Sequence, residues 1–115
     1  LTEAEKYLGY PYVWGGSSPA TSFDCSGYVS WVINHSGWDV GRLGAQGLYN
    51  ICTPTSDPHP GDLVFFVGTY DTTGVSHVGI YVGDGWMLHC GDPISYTNLN
   101  NSYWQAHFYA YGRLP

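Results

Sequence analysis

Ser22-Phe23-Asp24-Cys25-Ser26-Gly27-Tyr28-Val29-Ser30-Trp31-Val32-Ile33 reads as a loop turning into a helix, with a cysteine in the first turn. Ser22 or Asp24 is placed to cap the free backbone N–H groups there. Tyr28, Val29, Val32 and Ile33 recur at helical spacing and form one apolar face. Gly37 is placed to end the helix in a left-handed turn. A helix start carries partial positive charge and unpaired donors. Both favour thiolate over thiol, and thiolate is the nucleophile. A lowered thiol pKa is therefore expected at Cys25, with the small Ser26 and Gly27 leaving room for a substrate. A cysteine here also reads as a small buried hydrophobe, so the rest of the chain has to decide.

Upstream, Thr2 and Glu5 have the spacing of a capping box, and a short helix is expected to reach Leu8. Tyr12-Val13-Trp14-Gly15-Gly16 predicts a loop where backbone comes close to another segment. Downstream, Arg42 to Ile51 predicts a short helix weakened by Gly44 and Gly47, and Thr53 to Pro60 is expected to be irregular. From Gly61 the pattern changes to strands. Asp62 to Val67 is nearly continuous apolar sequence, as a central strand requires. His77 to Val82 alternates strictly, Trp86 to Cys90 returns as its partner, Gly91 to Tyr103 reads as a loop, and Phe108 to Tyr111 as a last strand. Helices first and strands after predict an α+β domain with an antiparallel sheet, occupying residues 1–115 without internal boundary.

Composition narrows the function. The 115 residues are 43% hydrophobic, enough for one packed core. Net charge is −6, with Lys6, Arg42 and Arg113 as the fixed cations, which argues against nucleic-acid binding and for a basic or amine-bearing ligand. No apolar run is long enough to span a membrane. No signal-peptide pattern opens the chain, so a mature or excised domain is expected, monomeric and open to being part of a longer multidomain protein. Cys25, Cys52 and Cys90 are an odd number, which excludes a complete disulfide framework, and without a C-x-x-C pair a zinc ribbon is not expected.

A cysteine nucleophile needs an imidazole, and the imidazole an orienting partner. His77 and His89 fall on the two strands of the expected hairpin. A three-residue loop, Gly83 to Gly85, pairs Val82 with Trp86 and sets Gly79 opposite His89. His77 is then a diagonal neighbour on the same face, about 7–8 Å away at Cα. Gly79 would leave space between the rings for the cysteine helix, and Cys90 would point into the core. His35, His59 and His107 read as structural.

Taken together, Tyr12-x-Trp14-Gly15-Gly16, Phe23-Asp24-Cys25-Ser26-Gly27, Pro60-Gly61-Asp62-Leu63-Val64-Phe65-Phe66, His77-Val78-Gly79-Ile80-Tyr81 and Met87-Leu88-His89 resemble the NlpC/P60 cysteine peptidases. The resemblance runs from Ala4 to Pro115 and implies a papain-like fold, with helices packed on an antiparallel sheet and the nucleophile at the start of the central helix. It implies a D,L-endopeptidase that cuts the amide between γ-D-glutamate and the diamino acid of peptidoglycan stem peptides, at the cell wall or outside the cell. By position, Cys25 is the nucleophile, His77 the base and acid, and His89 the orienting residue. Tyr12, Trp14, Asp24 and Ser26 are the expected substrate-binding residues. Asp24 would receive the amino end of L-Ala-γ-D-Glu, and Tyr12 O–H with the Cys25 N–H would face the oxyanion. No metal or cofactor is called for. Cys52 and Cys90 have no role in the pattern. The alternatives are another papain-like hydrolase of the CHAP type, or a degenerate domain that only binds wall peptides.

Overall fold

The computed structural model describes residues 2–91 and 93–115, without the Thr2 side chain, so the expected capping box lies outside the described residues. The first helix, α1 (Thr2–Glu5), is shorter than expected. The chain then continues to Leu8 in tight turns, closed by Tyr7 N–H to Ala4 O and Leu8 N–H to Glu5 O. The central helix α2 (Cys25–Asn34) starts where the sequence places it. Asp24 is the cap and accepts from Gly27 N–H at 2.7 Å, whereas the Ser22 hydroxyl goes to Pro11 O. Tyr28, Val29, Val32 and Ile33 are all buried. The next helix, α3 (Ala45–Ile51), starts three residues later than expected. Arg42 and Leu43 are held instead by α2, with Leu43 N–H on Ser30 Oγ at 3.2 Å.

A short ribbon of β1 (Ser17–Ser18) and β2 (Ser22–Phe23) leads into α2. The main sheet contains β3 (Thr53–Thr55), β4 (Leu63–Val67), β5 (Val75–Gly83), β6 (Trp86–Cys90), β7 (Ile94–Asn98) and β8 (Phe108–Arg113). Its order is β3-β8-β4-β5-β6-β7, and every pair is antiparallel. A last helix, α4 (Ser102–His107), joins β7 to β8. Strand β4 is flanked on both edges and covered on both faces, which explains its continuous apolar run. Leu63 and Phe65 join Val78, Ile80, Leu88 and Cys90 in the core under α2. Val64 and Phe66 join Met87 on the other face, beneath Trp104 and Tyr111. Burying Phe65 fully is worth roughly 2–3 kcal/mol.

Strand β3, strand β7 and helix α4 stand where irregular chain was expected. Pro54 is tolerated in β3 because this is an edge strand.

The β5–β6 turn corrects the expected register locally and preserves it further in. Asp84 (φ 54) and Gly85 (φ 81) both have positive φ, the type I′ geometry of a two-residue turn. The turn pairs Gly83 with Trp86, not Val82 with Trp86. Val82 is bulged out, and the ladder resumes as Tyr81 with Met87 and Ile80 with Leu88, the register expected for the body of the hairpin.

Candidate active site

Tyr81 exchanges backbone hydrogen bonds with Gly61 and Asp62 beside β4, so the odd-numbered backbone groups of this part of β5 face β4 and the even-numbered ones face β6. The β5–β6 ladder ends at Ile80–Leu88. Beyond it the N–H of Val78 and the C=O of Ser76 would lack strand partners. Cys25 occupies that gap. Its thiol points to Ser76 O at 3.9 Å, and the Val78 and Ser26 N–H groups bond its sulfur. The residue between these two contacts is His77.

Both imidazoles are buried, on the face of the sheet shared with Phe66 rather than the face packed by α2. His77 Nε2 lies 2.9 Å from His89 Nδ1. His89 Nε2 lies 2.9 Å from Thr97 Oγ1. The His77 ring nitrogen not engaged by His89 is therefore Nδ1. Gly79 does sit between the two histidines, but not to admit the helix. A Cβ there would come within 2.9 Å of Met87 Sδ and 3.1 Å of His89 Cβ, so those side chains use the space. Trp104, from the unexpected helix α4, stacks on His77 at 5.1 Å and meets His89 edge-on at 5.1 Å.

The thiol does not behave as its place on the helix alone suggests. Burial, reinforced by the Asp24 carboxylate, pushes Cys25 up to about 11, against the pull of the Val78 and Ser26 N–H groups and Arg42. Cys25 is 7% exposed, and desolvation of the anion outweighs the helix dipole. Burial likewise holds both imidazoles in the neutral form. At neutral pH Cys25 is thus a thiol and His77 and His89 are neutral imidazoles.

Asp24 carries more than the cap. Arg42 Nη2 grips both carboxylate oxygens, at 2.9 and 3.0 Å, and Gly15 N–H donates to Oδ2 at 3.2 Å. Arg42 Nη1 also donates to Ser26 Oγ at 2.9 Å. A free carboxylate awaiting an amine was expected; the carboxylate is already neutralised. Nor do Ser26 and Gly27 leave an open space. Ser26 is buried, and a Cβ on Gly27 would lie 2.0 Å from Gly16 O, so Gly27 makes room for the Gly15-Gly16 loop. That loop is the close backbone approach the paired glycines predict.

Tyr12 is half-buried and electrostatically coupled first to Cys25, then to Asp24. Burial and these neighbours push its phenol up to about 12, so it keeps its proton as a donor. Trp14 is 71% exposed and packs edge-on against Tyr70 at 5.4 Å. Cys90 is in the core, as expected, with its thiol on Phe23 O at 3.2 Å. His35, His59 and His107 bond Trp31 O, Asp57 and Val67 O respectively. Among the described residues no group of three or more His, Cys, Asp or Glu side chains is arranged to hold a metal, and no helix is long and apolar enough to cross a membrane.

Thr97, Trp104, Arg42 and Tyr70 were not identified from sequence. Only Arg42 carries a signal there, as one of three fixed cations in an acidic chain.

A cysteine opening a helix beside a histidine-bearing antiparallel sheet is the papain-like layout. The NlpC/P60 family model matches residues 9–113, and the chain belongs to that family. It is 44% identical to the bifunctional muramidase/DL-endopeptidase CwlT of Bacillus subtilis, over 99% of this chain and 35% of CwlT. A Staphylococcus aureus crystal structure described as similar to a lipoprotein of the NLP/P60 family superposes with a TM-score of 0.94 at 44% identity, covering 98% of this chain and 39% of that one. The fold is shared as well by RipD of Mycobacterium tuberculosis, described as a non-catalytic NlpC/p60 domain protein (TM-score 0.79, 19% identity, 99% of this chain and 93% of that one). The chain spans about a third of the length of CwlT.

Proposed function

We propose that this domain is a cysteine peptidase of the cell wall, cutting the γ-D-glutamyl–diamino acid amide of peptidoglycan stem peptides. The observation that carries this reading is the buried His77–His89 pair, with the Cys25 thiol set against the backbone that flanks His77. The thiol lies against the backbone on both sides of His77, and His77 Nε2 is held by His89 Nδ1 at 2.9 Å. A degenerate binding domain would have no use for a neutral imidazole locked in this way. The DL-endopeptidase part of CwlT's name supports the choice of bond.

His77 Nδ1 takes the Cys25 proton as the sulfur bonds to the carbonyl carbon. Tyr12 O–H and the Cys25 backbone N–H face the oxyanion. The tetrahedral adduct collapses as His77 gives that proton to the leaving amine, and a thioester remains on Cys25. Water, deprotonated by His77, then releases the acyl half. A substrate bearing both an amine and a carboxylate can part Asp24 from Arg42, each taking its opposite charge. The place of action is the wall or the extracellular space.

Mass spectrometry of purified muropeptides after digestion tests the reading. The expected products are a fragment ending in γ-D-glutamate and one beginning with the diamino acid. Cleavage at another bond would favour a different papain-like amidase, and intact muropeptides would favour a binding domain.

A further inference from the structure

The His77–His89–Thr97 chain can place its protons in two ways. In the first, Thr97 Oγ1 accepts from His89 Nε2–H, His89 Nδ1 accepts from His77 Nε2–H, and His77 Nδ1 is bare. In the second, the hydroxyl donates to a bare His89 Nε2, His89 Nδ1–H donates to His77 Nε2, and the His77 proton sits on Nδ1. Only the first leaves a nitrogen able to receive the Cys25 proton. A protonated His77 also requires the first, because both its nitrogens then donate.

We infer that Thr97 is a positioning residue that holds His89 in the Nε2–H tautomer and thereby keeps His77 a base. The placement is specific. His89 pairs with Ser95 and Met87 with Thr97 across β6 and β7, so Thr97 is the diagonal neighbour of His89 on the same face. The other strand face carries buried Ile94. Gly91 borders the far end of the imidazole without a side chain to crowd it, since a Cβ there would stand 3.1 Å from Cε1 and 3.6 Å from Nε2, while Thr97 Oγ1 reaches Nε2 at 2.9 Å. Thr97 is half-buried at the sheet edge, so its own proton is free to turn to solvent while a lone pair accepts from His89. Because the role matters through His77, it rests on the peptidase reading.

Imidazole ¹⁵N NMR of labelled protein at neutral pH, with His89 assigned by loss of its signals in His89→Gln, reads the tautomer without substrate. The expected result is a protonated Nε2 and a bare Nδ1 in the wild type, a shift of the proton toward Nδ1 in Thr97→Val, and restoration in Thr97→Ser. With stem peptide, Thr97→Val lowers kcat by about 10-fold or more, the consequence of a buried donor without an acceptor, with KM little changed and kcat restored by Ser. A wild-type His89 protonated on Nδ1 would overturn the inference, as would a Thr97→Val variant with unchanged tautomer or unchanged kcat. Should the wild type cleave no stem peptide, the peptidase reading fails, while the NMR result still decides the tautomer.

Discussion

Trp104 lies over His77 with ring centroids 5.1 Å apart and planes inclined by 30°. The same indole lines an open cavity of about 470 Å³ with Phe66, Leu99, Phe108 and Tyr111. It therefore stands between the imidazole and water. Trp104→Ala should hydrate His77 and let its pKa rise from about 3 toward the ordinary 6.5. Ring-proton NMR titration checks this, and an unmoved His77 titration would show that the roof does not control solvation.

Acid should unfold the domain through the same pair. Burial, reinforced by His89, holds His77 down to about 3, and burial holds His89 at about 4. The unfolded chain takes up these protons near 6.5, so it gains protons first as pH falls. The pair's contribution to stability is full above about 6.5 and is lost as pH drops toward 4 and 3. Melting temperatures measured from pH 8 to pH 4 should fall more steeply for wild type than for His89→Gln. Parallel curves would contradict the assignment.

The ion pair of Asp24 and Arg42 separates stability from recognition. Asp24→Ala removes a helix cap and should cost about 1 kcal/mol or more in denaturant melts. Arg42→Gln should cost less than about 1 kcal/mol, because the guanidinium side of the pair is 38% exposed. Asp24→Asn should raise KM most for substrates with a free L-Ala amine. An equal loss on blocked and free substrates would remove Asp24 from recognition.

The two histidines should not rank equally. His77→Ala removes the proposed proton carrier and should slow turnover by about 100-fold or more. His89→Ala removes only its orientation and should slow turnover less. The reverse ranking, measured as kcat on one stem peptide, would mean that the roles are exchanged.

What the sequence made legible was local. Cap, cysteine and apolar stripe of α2 follow from spacing, and the alternation from His77 to Val82 fixes which residues share a face. The Val82 bulge has no such signature, yet it reconciles a two-residue turn with the register expected of a longer loop. Strand β7 escaped because its burial is confined to Ile94 among otherwise exposed or half-exposed residues. Helix α4 escaped because it is six residues long and buries none of them. Trp104 and Thr97 touch histidines distant in sequence, and no local pattern marks such contacts. The raised thiol of Cys25 was hidden for a similar reason: the helix start is visible in sequence, whereas the sheet that buries it is assembled from the other half of the chain.

Turnover of a purified stem peptide by Cys25→Ala is the most direct test of the account. A loss of about 10³-fold or more is predicted, with an unchanged melting temperature. Hydrolysis of the same bond at close to the wild-type rate would contradict it.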